Sequence, residues 1–188
     1  VLECLGAIVS SLIESSMRTP HIIDSIIECY GRPLSVFDRL SAAFQKLEND
    51  DLAFQYLELS DIACTKYYTI LKSLWQRENV LSPSCLEKGA KLLSITARHR
   101  NERSLLQESL LPLLYSLKLY AELETRTNGN QDFQLPSRFL LLSNTLHELG
   151  RLKDSFYVLT LVLVYELRRE PSDTAPESKL LKTLANLS

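Results

Sequence analysis

At 188 residues and a formal net charge of −2, the chain suits one globular domain and carries no general field for nucleic acid or anionic lipid. Its composition, 45% hydrophobic with 5 Gly and 7 Pro, can bury a core and excludes a disordered tail. Leu dominates over Val, Thr and Gly, so an all-α fold is expected across residues 1–188, as a single domain or a segment of a longer helical array.

The first element is Val1–Met17, where Leu2, Leu5, Ile8, Val9, Leu12 and Ile13 follow the three-and-four spacing of one helical face. Thr19-Pro20 then supplies a cap and a proline at the first helical position, and the helix Pro20–Tyr30 is expected to stop at Gly31. His21, Asp24 and Glu28 share its polar face; with no second ligand cluster they read as solvated residues, not a metal site. A separate helix, Leu34–Glu48, carries Leu34, Phe37, Leu40, Phe44 and Leu47 on one stripe. Asn49-Asp50-Asp51 breaks it and puts negative charge at the start of Leu52–Asn79, where the helix dipole favours it. The rings of that long helix, Phe54, Tyr56, Tyr67, Tyr68 and Trp75, spread over more than one face, which predicts a central helix covered on several sides. An aromatic peptide-binding groove is the other use for them.

Ser82-Pro83 repeats the cap-then-proline start and opens a helix to about Arg98. Arg98, Arg100 and Arg103, with His99, form the densest basic cluster and are the candidate basic patch. No aromatics interleave with them, which argues against nucleic acid; positive charge at a helix C-terminus accounts for them. Glu102–Glu124 contains Pro112, which removes a backbone donor and predicts a kink or two elements. Leu110-Leu111-Pro112-Leu113-Leu114 matches an LxxLL docking string but reads as core. Thr125–Gln134, with Asn-Gly at 128–129, is the clearest loop. Leu135–Pro171 reads as two antiparallel helices joined at Gly150, Pro171–Pro176 as a short linker, and Glu177–Leu187 as a further helix with Leu180, Leu181, Leu184 and Leu187 on one face. The sum is eight to nine helices, stacked as hairpins in an irregular α-solenoid.

Within Leu135–Pro171, Phe139, Leu142, Ser143 and Leu146 precede Gly150, and Leu152, Ser155, Leu159 and Val162 follow it. This pattern resembles a tetratricopeptide (TPR) motif, a helix-turn-helix of about 34 residues that stacks into a superhelix. The resemblance implies that Phe139, Leu142, Ser143 and Leu146 pack the first helix, that Gly150 makes the turn, and that Leu152 follows it as a bulky packing residue. It implies small, large and small positions at Ser155, Leu159 and Val162. Val162 is larger than the usual alanine, and the closing proline at 171 comes about one helical turn late. No second copy registers at a fixed period.

The four cysteines contain no CxxC pair and lie among apolar neighbours, so buried, reduced thiols are expected. Val1–Ala7 does not read as a signal peptide, and the apolar run Phe156–Tyr165 is about half the length of a membrane span. Apolar helical patterns reach both ends, which we read as a segment of a larger protein. With no phosphate loop, GxSxG or HExxH string, we expect no enzyme, no cofactor and no metal. The expected function is a non-enzymatic protein–protein interaction scaffold, intracellular and either cytoplasmic or nuclear. Its partner is another protein's peptide or helix, or further repeats of the same chain. The alternatives are a self-contained domain that dimerises through Leu34–Leu47 or Leu180–Leu187, and a weak nucleic-acid binder using Arg98, Arg100 and Arg103.

Overall fold

The computed structural model describes residues 20–76, 81–127 and 135–169, and among these the fold is all-α. Six helices follow one another: α1 (Pro20–Lys46), α2 (Asp50–Gln76), α3 (Pro83–Glu102), α4 (Leu106–Thr127), α5 (Leu135–Glu148) and α6 (Leu152–Arg169). Val1–Met17, the linker at 171–176 and the helix expected at Glu177–Leu187 lie outside the described residues, as does most of the 125–134 loop; its first three residues extend α4.

The two helices expected on either side of Gly31 are one continuous helix, α1, which also carries Pro33 inside it. Pro33 cannot donate a hydrogen bond to the preceding turn, but Tyr30 and Leu34 are buried on either side of it, so tertiary packing holds the segment straight through. Gly31 serves a close approach and not a stop: a Cβ there would lie 2.7 Å from Leu92 Cδ2 of α3. Pro112 likewise sits inside the single helix α4. Nor is α2 covered on several sides. Its core residues Ala53, Leu57, Ser60, Cys64, Tyr67, Leu71 and Leu74 form one stripe, while Phe54, Leu59 and Ile62 face outward.

Three connections have the same construction. Each is three residues long with the central one in the left-handed region: Glu48 at φ 56°, Ser104 at 61° and Gly150 at 72°. The N–H after it reaches back into the preceding helix, from Asn49 to Phe44 O (3.0 Å), Leu105 to Arg100 O (2.9 Å) and Arg151 to Leu146 O (2.8 Å). This is the glycine-type helix stop that satisfies otherwise orphaned carbonyls. Only Gly150 adopts the conformation without a Cβ penalty. Glu48→Gly is therefore expected to raise stability by about 0.5–1 kcal/mol, measured by urea unfolding, whereas Gly150→Ala should lower it by about as much.

Aligning the chain on those three turns exposes a repeat. Seven residues before each left-handed residue and five after it stand buried small side chains: Ser41 and Ala53, Ala97 and Ser109, Ser143 and Ser155. Small residues at a crossing let two helix backbones approach, and the larger neighbours fill the flanks. The three hairpins α1–α2, α3–α4 and α5–α6 are thus built on one plan, with different distances between them.

Contacts across the hairpins fix their order. Glu28 and Arg103 tie α1 to α3 at opposite ends, through Lys88 (3.6 Å) and Gln45 (2.9 Å) respectively. Arg138 reaches Ser94 (2.9 Å) and Thr145 meets Asn101 (3.0 Å), which sets α5 beside α3. Tyr68 stacks on Tyr115 at 4.1 Å between α2 and α4, and Tyr165 donates to Glu124 between α6 and α4. Residue numbers rise together from α1 to α3 and from α3 to α5, so these three helices run parallel in one layer. Each is joined to its partner by a tight antiparallel turn, so α2, α4 and α6 run parallel in the other. The core between the layers is apolar, with Leu71, Leu86, Leu93 and Leu113 fully buried; each such leucine contributes about 1.5–3 kcal/mol. Packing is tightest at Gly89, where a Cβ would fall 2.5 Å from Leu71 Cδ1 and 3.2 Å from Tyr67 Oη. Gly89→Ala gains helix propensity, but the fully buried Leu71 has no room to move. A net loss of about 1 kcal/mol is expected from thermal unfolding.

Candidate functional site

The basic cluster does not form a patch. Arg98 is exposed, Arg103 is partly buried, and Arg100 is 0% exposed. Arg100 falls on the buried stripe Leu86, Ala90, Leu93, Ala97, which carries its side chain into the core. There its Nε donates to Asp38 Oδ1 (2.9 Å), Nη1 to Asp61 Oδ1 (2.5 Å) and to Glu108 O (2.7 Å), and Nη2 to Ser60 Oγ (2.7 Å). One guanidinium so ties α1, α2 and α4 to α3. Burial opposes its charge, but Asp61 and Asp38 more than offset that and move its pKa up. Arg103 donates to Gln45, Asp38 O and Ser41 Oγ, and burial lowers its pKa. A nucleic acid cannot reach Arg100, so Arg100 is a structural clasp with Arg103 at its flank, and of the three arginines Arg98 alone stands at the open surface.

A surface with binding geometry lies on the other layer. Parallel helices α4 and α6 enclose a groove of about 370 Å³ above α5. Leu114 and Leu117 form one wall, Phe139 and Leu142 the floor, and Tyr157 and Leu161 the other wall. Its charged rim is Lys118 with Arg151 and Asp154, which pair with each other at 2.7 Å. Leu114, Tyr157 and Leu161 remain exposed along it, the shape and polarity of a site for an apolar ligand surface.

The α5–α6 hairpin residues divide between this groove and the core. Leu142, Ser143, Leu146, Ser155 and Val162 are buried, Phe139 and Leu159 are half-buried, and Gly150 sits at the exposed turn. Ser143 Oγ lies 2.8 Å from Ser155 Oγ, so the two helices cross at these hydroxyls. Leu152 departs from the packing role expected of it. It is 58% exposed, because the first residue of α6 points away from α5.

No family model, curated protein or solved structure matches this chain.

Other sequence features resolve into packing. Of the α2 rings, Tyr67 and Trp75 are buried, Tyr56 stacks on Phe44 at 5.3 Å and Tyr68 on Tyr115, which leaves no aromatic groove there. Phe44 and the fully buried Leu34 are used inside the fold, so the Leu34–Leu47 stripe is not a free dimerisation face; only Leu47 stands well exposed. In the LxxLL string Leu110 and Leu113 are core and Leu114 lines the groove. Among the described residues no group of three His, Cys, Asp or Glu could hold a metal ion, and no helix is long and apolar enough to cross a membrane.

Cys29, Cys64 and Cys85 are free thiols, and Cys29, expected to be buried, is exposed. Burial pushes the Cys64 thiol up to about 12, while Arg100 pulls it down and Asp61 and Asp38 push it up. The folded state therefore holds this proton after the unfolded chain, with an ordinary thiol pKa near 8.5, has released it. Stability from this group is intact below about pH 8.5 and is lost as pH rises toward 12. Melting midpoints should fall over that range, and the fall should be shallower in Cys64→Val. At neutral pH a maleimide should label Cys29 quickly and Cys64 only on unfolding.

Proposed function

We propose that this chain is a non-enzymatic, TPR-like α-solenoid segment that acts as a protein–protein interaction scaffold. One observation supports it above all: the same turn, with buried small residues at the same offsets on either side, recurs in three consecutive hairpins. A hairpin of this kind cannot bury its apolar face alone, and stacking such units generates extended grooves. At Val162 the resemblance departs from the usual small residue, but the equivalent positions of the other hairpins are Ser60 and Ser116. As a segment of a larger intracellular protein, cytoplasmic or nuclear, it would keep its three described thiols reduced. Imaging of the tagged full-length protein tests that location.

The occupant of the α4–α6 groove is an amphipathic helix. The groove follows α4 from Leu110 to Ala121, about 16 Å of helix axis, long enough for anchors at i, i+3 or i+4 and i+7. Its apolar lining and charged rim match a helix with one apolar face. A displayed library of helical peptides, selected on the native chain and counter-screened on Leu114→Glu/Leu161→Glu, tests this. Selected sequences should share the anchor spacing and bind the variant at least about tenfold more weakly, since a buried unpaired carboxylate is costly. Binders indifferent to the variant, or lacking that spacing, would overturn the reading.

A further inference from the structure

The surface of α1 and α3 has the opposite charge from the chain as a whole. Arg32, Arg39 and Lys46 share one exposed face of α1, and Lys88, Lys91 and Arg98 share one of α3. Spacings of three, seven, ten and fourteen residues keep each set on one side of its helix. The carboxylates on or beside these faces, among the described residues, are Glu28, Glu87 and Glu102. Six cations against three carboxylates leave a local charge of +3 on a chain of net −2. Glu28 is paired with Lys88 at 3.6 Å.

A groove of about 470 Å³ runs between the two helices, with Arg32, Val36 and Arg39 on the α1 side and Lys88 and Leu92 on the α3 side. Lys91, Ile95 and Arg98 stand exposed on α3 beside and beyond this lining. Apolar groups stand among the cations: Val36 and Ile95 are exposed, and Leu92 is half-buried against Gly31. We propose that this groove docks an acidic amphipathic segment of a partner protein. Its apolar residues seat on Val36, Leu92 and Ile95 while its carboxylates meet Arg32, Arg39, Lys91 and Arg98. Charge complementarity selects the acidic partner, and the apolar row selects a folded or folding peptide over a polyphosphate. Single-stranded nucleic acid takes its affinity from stacking on aromatic side chains, and the ring in this lining, Tyr67, is buried.

This inference shares with the scaffold reading the premise of a protein partner, but it concerns a different groove, so either can fail alone. The test is fluorescence anisotropy on the full chain with three probes. They are an 18-residue peptide with Leu at i, i+3, i+4 and i+7 and Glu elsewhere, a scrambled peptide of the same composition, and a poly(U) oligonucleotide. The patterned peptide should bind about tenfold more tightly than the scrambled one and weaken as salt rises. Arg32→Glu/Lys91→Glu, both at exposed positions, should keep its melting midpoint and bind the peptide about tenfold more weakly. Ile95→Ser tests the apolar row without changing the charge and should also weaken binding. In Leu114→Glu/Leu161→Glu, which closes the other groove to a helical peptide, the salt-dependent binding should persist. Equal affinity for the scrambled peptide, tighter binding of poly(U), or indifference to both cationic-groove variants overturns the proposal.

Discussion

Arg100→Ala is expected to lower the unfolding free energy by about 3–5 kcal/mol, the largest effect of any single substitution proposed for this chain. The guanidinium is wholly buried, and the Asp38 side chain it pairs with is only 8% exposed. Removing it leaves one carboxylate nearly without solvent and strips partners from Ser60 Oγ and Glu108 O. Asp61, more exposed, is partly rescued by water and contributes less. In a chain of this length the loss should lower the melting midpoint by about 10 °C or more. Arg100→Lys should recover little of it, because one ammonium cannot span acceptors on three other helices. Arg100→Met/Asp38→Leu is the informative control. It removes the stranded charge with its partner and should recover much of the loss, whereas a variant as unstable as Arg100→Ala would show that the cost lies in packing.

Ser155→Leu should destabilise by about 1–3 kcal/mol from overpacking, and somewhat more because Ser143 Oγ loses the Ser155 hydroxyl and keeps only the longer bond to Ser155 O at 3.3 Å. The two hydroxyls lie where α5 and α6 come closest, and a leucine there forces the backbones apart. Ser155→Ala keeps the approach and loses only a hydrogen bond, so about 1 kcal/mol is expected. If the three hairpins share one construction, Ala97→Leu must behave like a leucine at the Ser143–Ser155 crossing, since Ala97 is fully buried at the matching position, seven residues before its turn. Denaturant unfolding of the three variants tests this. An unchanged Ala97→Leu would mean that the hairpins are not equivalent.

Much of the fold is legible in the residues. The cap at Ser82, whose Oγ accepts from Cys85 N at 3.1 Å, and the turn at Gly150 mark their helices by local chemistry alone. The repeat is not, because two of its three turns place Glu48 and Ser104 where glycine is usual and so lack the signal that Gly150 gives. Spacing conceals it too: the left-handed residues are 56 and then 46 positions apart, which defeats a search at fixed period. Gly31 and Pro33 mislead for a related reason, since both read as breaks while the packing of α3 and the burial of Tyr30 and Leu34 hold the helix continuous. The Arg100 clasp was within reach of pattern reading. Asp38, Ser60 and Arg100 each continue a three-and-four apolar stripe on its own helix, and polar residues on core stripes need partners. Read as a string with Arg98 and Arg103, Arg100 looks like surface charge. The two grooves depend on which helices lie parallel, a property of the stack and not of any one segment.

That parallel stacking is the central claim, and zero-length carbodiimide crosslinking followed by peptide mass spectrometry tests it directly. Glu28 and Lys88 are 3.6 Å apart, largely exposed, and contributed by different hairpins. A Glu28–Lys88 amide should dominate the links between α1 and α3. Lys88 joined instead to Glu48, at the opposite end of α1, would mean that the two helices run antiparallel and would contradict the account.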